Sequence, residues 1–143
     1  MTTSEILSKL PYSKPFLFVD ELVLVNENKV EGNYTFDEDL DFYKGHFKNN
    51  PITPGVIVTE VMAQIGVVCL GIFLMKDVVS QDTNFVLTAT EVEFLKPVYP
   101  NQKVVVISEK IYFRFGKLKC KVEMMISDNN VTIARGTISG MIV

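Results

Sequence analysis

The chain has 143 residues, of which 48% are hydrophobic and 22% charged, and its formal net charge at pH 7 is −3. This length suits one core, and the balance of apolar and charged residues is that of a globular protein rather than a disordered one. The acidic balance argues against nucleic acid as the main partner, because phosphate binding requires a basic excess. We therefore predict a single domain over residues 1–143.

The cysteines and the single histidine argue against two common kinds of site. Cys69 lies in an apolar segment and Cys120 alternates with lysines, which are two settings unlike a disulfide framework. Metal binding is poorly supported, because His46 has no second histidine or close cysteine pair to join it. The N-terminal stretch lacks the basic and apolar regions of a signal peptide, so the expected location is the cytoplasm.

The first half of the chain predicts a short helix, two strands and a long helix. The helical lead-in "SEILSKL" is ended by prolines, and "FLFVDELVLV" and "KVEGNYTF" follow as strands joined by the turn "NENK". A Gly-, Asn- and Pro-rich loop then leads into an almost wholly apolar helix from Val56 to Met75. Thr53 is the expected N-cap of this helix and Pro54 its first residue.

The second half of the chain predicts four strands, because it is rich in Val, Ile, Thr and aromatic residues. A helix that is apolar on most sides needs cover on most sides, and a single sheet supplies that only by curling around it. We predict an α+β fold in which a curved antiparallel sheet wraps one central helix and a second copy of the chain covers the remainder. The four strands are "TNFVLTATEVEFL", "QKVVVISEKIYFRF", "KLKCKVEMMIS" and "VTIARGTISGMIV".

The long helix is not expected to cross a membrane, although its length would allow it. Glu60 and Gln64 lie within it, each costly in lipid, and the sequence contains no second apolar span. An apolar helix of this kind is more often buried inside a protein.

The polar groups around the start of this helix form a possible site. The first turn of a helix carries unpaired N–H groups, and at Gly55 such a group can be approached closely by a carbonyl oxygen that becomes negative. Glu60 and Gln64 lie four residues apart on one face, where partial desolvation raises the pKa of the carboxyl and favours proton donation. The imidazole of His46 suits a general base near neutral pH.

Each of these features also has an ordinary explanation. A Pro-Gly pair starts many helices, two polar residues can be a structural pair, and a lone loop histidine is commonly a surface residue. Together, however, they supply a base, an acid and a donor that polarises a carbonyl. That set matches proton abstraction next to a thioester carbonyl with loss of a β-leaving group.

The motifs resemble those of the β-hydroxyacyl-(acyl carrier protein) dehydratases, the FabZ/FabA-like hot-dog family. The family pattern has "GHF", then "PGV", then a helix with Glu and "MAQ", and this chain has Gly45-His46-Phe47, Pro54-Gly55-Val56, Glu60 and Met62-Ala63-Gln64 at similar gaps. The stretches "LPYSKPFLFVDEL" and "VEFLKPVYPNQ" also resemble the family's. The resemblance covers roughly residues 10–140 and implies the hot-dog fold.

The resemblance implies a catalytic role for three groups. His46 resembles the base that removes the α-proton of a (3R)-3-hydroxyacyl thioester, and Glu60 resembles the acid that helps the β-hydroxyl leave as water. The backbone N–H of Gly55 is expected to polarise the thioester carbonyl. The implied reaction forms a trans-2-enoyl thioester.

The resemblance also implies a substrate site and partners. Gln64 is expected to orient Glu60, and Phe47 and Val56 are expected to line the substrate site. No organic cofactor or metal is implied, because the acyl chain arrives on the phosphopantetheine of an acyl carrier protein. In this family one site takes its histidine and glutamate from different subunits, so a homodimer is the expected minimum and a trimer of dimers remains open.

Several departures from the family pattern leave the substrate and pathway open. The chain has "GHFKNNP" where the family has "GHFPGHP", and Pro11-Tyr12 where the family has "PH". Fatty-acid synthesis and a specialised polyene or aryl-polyene pathway both fit such a dehydratase. A hot-dog thioesterase and a non-catalytic binding subunit are the alternatives. The retained pair of His46 and Glu60 favours elimination over both.

Overall fold

One antiparallel sheet wraps a central helix in the computed structural model, which describes residues 1–143. The strands of the sheet are β1 (Glu21–Val25), β2 (Lys29–Thr35), β3 (Phe85–Phe94), β4 (Lys103–Arg114), β5 (Lys117–Ile126) and β6 (Thr132–Ile142). Their order across the sheet is β1-β2-β4-β5-β6-β3, so β1 and β3 form the two edges. The predicted hot-dog architecture is therefore confirmed. A short helix α1 (Thr3–Ser8) precedes the sheet.

The central helix runs from Gly55 to Leu74 without a break in the chain. It consists of α2 (Gly55–Ala63), a wider π-helical turn (Gln64–Val68) and α3 (Cys69–Leu74). By length and composition this helix could cross a membrane, but 72% of its most apolar 18-residue stretch is buried, as in the core helix of a soluble protein.

The sheet packs most closely against the helix at the π-helical turn. Ser108 on β4 is fully buried, and its hydroxyl donates a hydrogen bond of 2.8 Å to the carbonyl oxygen of Gly66. A side chain at Gly66 would meet Val122 and Ser108 at 3.0 and 3.1 Å, so the small residue allows this close approach. The bond gives the Gly66 carbonyl a partner outside the helix at the point where the helical pattern widens.

The start of the helix differs from the prediction by one residue. Pro54 is the N-cap without any side-chain hydrogen bond, and Gly55 is the first helical residue. Thr53 does not cap the helix, because its buried hydroxyl is hydrogen-bonded to that of Tyr43 and its N–H donates to Val98. The competing tyrosine could not be foreseen from local sequence.

The first strand is shorter than predicted. It begins at Glu21 instead of Phe16, because the backbone of Phe16 and Phe18 is hydrogen-bonded to the side chain of Gln64 rather than to a neighbouring strand. The segment before β1 therefore runs along the helix.

The alternation predicted for β5 is confirmed. Leu118, Cys120 and Val122 are buried towards the helix, whereas Lys119 and Lys121 lie on the other face. Both cysteines are free thiols. Burial raises the pKa of the Cys120 thiol to about 11, which keeps it protonated at neutral pH.

The edge strand β3 is exposed along nearly its whole length. It pairs only with β6, and several of its apolar side chains face solvent, including Val86, Leu87 and Phe94. An unpaired edge with exposed apolar residues is a surface on which another strand can add.

Candidate active site

Glu60 is held in place by Gln64, one turn further along the helix. The side-chain amide nitrogen of Gln64 donates to Oε2 of Glu60 over 2.9 Å, which confirms that the two lie on one face. Glu60 is half-buried, whereas Gln64 has no exposed surface.

The amide of Gln64 is itself fixed by the backbone before β1. Its oxygen accepts from the N–H of Phe18 at 2.8 Å, and its nitrogen donates to the carbonyl oxygen of Phe16 at 3.0 Å. Reversing the amide would set a donor against the Phe18 N–H, so its orientation is determined. Oε2 of Glu60 therefore faces a permanent donor, and Oε1 is left as the oxygen that can carry a proton.

The carboxyl of Glu60 opens into an apolar cavity of about 240 Å³. Burial raises the pKa of this carboxyl above its ordinary value of 4.5, and the hydrogen bond from Gln64 opposes part of that rise. A carboxyl with a raised pKa is a better proton donor near neutral pH. The other lining residues are Tyr12, Phe16, Ala63, Val67, Val68, Phe85, Val86, Leu87 and Gly140.

His46 lies in the loop before the helix, just after a 3₁₀ turn at Asp41–Lys44. Its Nδ1 is 2.8 Å from the carbonyl oxygen of Ile52, and its ring stacks on that of Phe47 with centroids 3.9 Å apart. A carbonyl oxygen only accepts, so in the neutral ring Nδ1 carries the hydrogen. Nε2 then has a free lone pair, as a general base requires.

Gly55 and Val56 lie on a different surface from His46. The N–H of Gly55 is in the first turn of the helix and makes no hydrogen bond within the chain. The ring of Phe94 packs over Gly55, where an added Cβ would be 3.3 Å from it. Val56 is 78% exposed beside them. This open surface meets the Glu60 cavity at Leu87, which lines both.

A single chain thus brings together some of the predicted groups but not all. Glu60 and Gln64 are in contact, and Gly55 lies on an adjoining surface. His46 lines neither of these two surfaces, and Phe47 is 51% exposed beside it. Within one chain, the proposed base and acid are therefore separate.

Sequence reasoning missed the part that the segment before β1 plays in the site. Two backbone groups there, at Phe16 and Phe18, orient Gln64 from 46 to 48 residues away. Backbone groups leave no signature in a sequence, so nothing pointed to them. Tyr12 also lines the Glu60 cavity. The only feature of the sequence that could have pointed to Tyr12 is that the family has a histidine at this position.

Comparisons with known proteins identify the family. Residues 10–139 match the model of the FabA-like domain. The 3-hydroxyacyl-[acyl-carrier-protein] dehydratase FabZ of Caldicellulosiruptor bescii is 36% identical over 125 residues, which is 85% of this chain and 86% of that protein. The FabZ of a Wolbachia from Brugia malayi is 31% identical over 143 residues, which is 97% of this chain and 94% of that protein.

Solved structures share the fold. The dehydratase heterocomplex ApeI:P from Xenorhabdus doucetiae matches with a TM-score of 0.79 at 14% identity, covering 99% of this chain and 91% of that chain. A hypothetical thioesterase from Streptococcus pneumoniae, crystallised with coenzyme A, matches with a TM-score of 0.61 at 10% identity, covering 86% and 84%. The chain belongs to the FabA-like family of hot-dog proteins. Within that family it is a dehydratase of the FabZ type.

Replacing Gln64 with leucine should destabilise the chain strongly. Leucine leaves the Phe18 N–H and the Phe16 carbonyl without their partner, and we expect the free energy of unfolding to fall by about 3 kcal/mol. Chemical denaturation measures this change. The same substitution at the exposed turn residue Gln81 is the control and should change stability by less than about 0.5 kcal/mol. Equal effects at the two positions would contradict the role given to Gln64.

Replacing Glu60 with glutamine should make the chain more stable at neutral and alkaline pH. The folded chain holds the Glu60 proton more tightly than the unfolded chain, because the folded-state pKa is raised. Wild-type stability therefore falls as pH rises from 4.5 through the folded-state pKa, and the variant lacks this loss.

Denaturation at several pH values checks this expectation. The variant should exceed the wild type in free energy of unfolding at about pH 8, and the difference should shrink below about pH 4.5. The same substitution at exposed Glu27 controls for the loss of one negative charge. A wild type that stays as stable as the variant at alkaline pH would refute the argument.

Proposed function

We propose that this chain eliminates water from (3R)-3-hydroxyacyl-(acyl carrier protein) thioesters to give trans-2-enoyl thioesters. The observation that carries the proposal is the Glu60 carboxyl, which is fixed at Oε2 by Gln64 and has Oε1 free at an apolar cavity. A partly desolvated acid beside an acyl-sized cavity suits protonation of a leaving hydroxyl. The curated relatives named above are 3-hydroxyacyl-[acyl-carrier-protein] dehydratases, which agrees with this reaction.

In the proposed mechanism, Nε2 of His46 removes the proton from C2 of the acyl chain. The electrons of that C–H bond form the C2–C3 double bond as the C3–O bond breaks. The departing oxygen takes the proton from Oε1 of Glu60 and leaves as water. The proton on His46 then passes to the Glu60 carboxylate through water, which restores the starting state.

The N–H of Gly55 has the electrostatic part in this mechanism. Negative charge develops on the thioester oxygen when the C2 proton is removed, and a fixed donor aimed at that oxygen stabilises the charge. The N–H is free of partners and lies at the positive end of the helix. Phe47 is exposed beside His46, and Val56 is exposed beside Gly55. Both side chains are therefore available to line the thioester end of the proposed site.

We further propose that each site is assembled from two chains. His46 does not line the Glu60 cavity of its own chain. The edge strand β3 is unpaired on one side, and its exposed Leu87 and Phe94 border the Gly55 surface. Pairing two β3 edges would bury this apolar surface and bring the His46 loop of one chain towards the Glu60 of the other. A trimer of such dimers is a further possible assembly.

The proposed setting is cytoplasmic acyl-chain synthesis on a carrier protein, with no cofactor beyond the carrier's phosphopantetheine. Fatty-acid synthesis and a polyene or aryl-polyene pathway both supply such substrates. Assays with carrier-bound chains of different length, with and without an aryl cap, distinguish these pathways.

The central test is an assay of hydration and dehydration with crotonyl and 3-hydroxyacyl thioesters on a carrier protein. We expect the wild type to interconvert them, and His46→Ala and Glu60→Gln each to lower kcat by at least about a hundredfold, as loss of a general acid or base does. If the wild type hydrolyses the thioester instead, the chain is a thioesterase. If it does neither, it is a binding subunit.

The two-chain site can be tested by mixing the two inactive variants. A dimer of one His46→Ala chain and one Glu60→Gln chain has one site with both groups intact. A random equal mixture should therefore recover about a quarter of wild-type activity after the subunits are exchanged. If the base and acid came from one chain, no site would be intact and the mixture would stay inactive.

A further inference from the structure

The cavity beside Glu60 contains one polar side-chain group besides the carboxyl. Eight of its ten lining residues are hydrophobic, and among these only Tyr12 has a polar side-chain atom. The remaining two are Glu60 and Gly140. An acyl chain that enters the cavity therefore meets two side-chain groups able to hydrogen-bond, the Glu60 carboxyl and the Tyr12 hydroxyl.

The hydroxyl of Tyr12 has no hydrogen-bond partner within the chain. The residue is half-buried, and the cavity wall around it is apolar. The Tyr12 hydroxyl remains accessible from the cavity. Oδ1 of Asn33 is the only fully buried side-chain polar atom without a hydrogen-bond partner. Tyrosine hydroxyls in apolar surroundings usually find a partner, so a ligand in the cavity is the natural candidate.

Tyr12 can act only as a neutral group in this setting. Burial raises the pKa of its hydroxyl, and the negative charge of nearby Glu60 raises it further. The hydroxyl therefore keeps its hydrogen at all physiological pH values and can donate it to an oxygen on the ligand.

The segment that carries Tyr12 is held by the same residue that holds Glu60. Gln64 binds the backbone of Phe16 and Phe18, and the Phe16 and Phe18 rings pack edge-on with centroids 4.9 Å apart. Gln64 thus fixes the Glu60 carboxyl directly and anchors the chain four residues after Tyr12.

We propose that Tyr12 is a substrate-positioning residue whose hydroxyl donates a hydrogen bond to the oxygen on C3 of the acyl chain and holds it against Glu60. This proposal rests on the dehydratase function proposed above. It gives Tyr12 a task that a phenylalanine could not perform, because the rest of the ring only forms apolar wall. The 3-hydroxyacyl substrate has the C3 oxygen, whereas the enoyl product and a saturated acyl chain lack it.

The test compares Tyr12→Phe with the wild type on three thioesters of one chain length. For the 3-hydroxyacyl thioester we expect KM to rise about five- to tenfold with kcat nearly unchanged, the loss of one neutral hydrogen bond. For the enoyl thioester, KM should stay the same and kcat should fall by a similar factor, because the equilibrium constant of the reaction is fixed. The inhibition constant of the saturated thioester should not change.

Two further variants control the result. Tyr12→His keeps a donor at this position and should restore the preference for the hydroxylated chain, at least in part. Tyr99→Phe removes a hydroxyl from an exposed turn and should change none of the constants. Thermal unfolding of each variant shows whether the fold is kept.

The proposal is overturned if Tyr12→Phe leaves the KM of the 3-hydroxyacyl thioester unchanged. It is also overturned if binding of all three thioesters weakens equally, since Tyr12 would then only shape the wall. A wild type without dehydratase activity would refute the proposed function instead. In that case the difference in binding between hydroxylated and saturated chains, and its loss in Tyr12→Phe, still decides the role of Tyr12.

Discussion

The site depends on a side-chain amide that is completely buried. Gln64 makes three hydrogen bonds, to the backbone at Phe16 and Phe18 and to the Glu60 carboxyl. A buried amide is costly unless its groups are paired, so these bonds act together to fix one arrangement. They attach the segment before β1 to the central helix, orient the carboxyl and select which of its oxygens faces the cavity. Packing of the apolar helix alone would define none of these.

The raised pKa of Glu60 would favour proton donation but lowers the stability of the folded chain at neutral pH. The acid role proposed for Glu60 requires a carboxyl that resists ionisation near neutral pH, and burial at the apolar wall raises the pKa of Glu60 accordingly. The hydrogen bond from Gln64 works in the opposite direction, because it favours the carboxylate. The geometry of the site therefore requires a contact that lowers the pKa of Glu60 and so reduces the fraction of the carboxyl that is protonated near neutral pH, although burial remains the larger effect. The proposed role of Glu60 would explain why a polar pair occupies a helix that is otherwise apolar and buried.

The sequence predicted the layers of the fold better than it predicted the contacts between distant segments. Alternation in β5 and the apolar stretch of the central helix are local patterns, and both were confirmed. The expected cap at Thr53 was wrong, because Tyr43 engages that hydroxyl. The strand expected from Phe16 starts at Glu21, because Gln64 takes up the backbone before it. Both errors come from side chains that compete for a backbone or a hydroxyl across the fold, which a local pattern does not contain.

The separation of His46 from the Glu60 cavity within one chain follows from the shape of the fold. A single curved sheet covers the helix on one side, so the start of the helix and strand β3 remain open, with Val56 78% exposed. A site at that opening has a wall on one side only and cannot exclude water. Excluding water strengthens the electrostatic effect of a donor such as the Gly55 N–H. A second chain placed over the opening would supply the missing wall and, with it, the imidazole that one chain keeps apart from its own carboxyl. In the proposed dimer, self-association and the completion of the catalytic set would thus be consequences of the same uncovered surface.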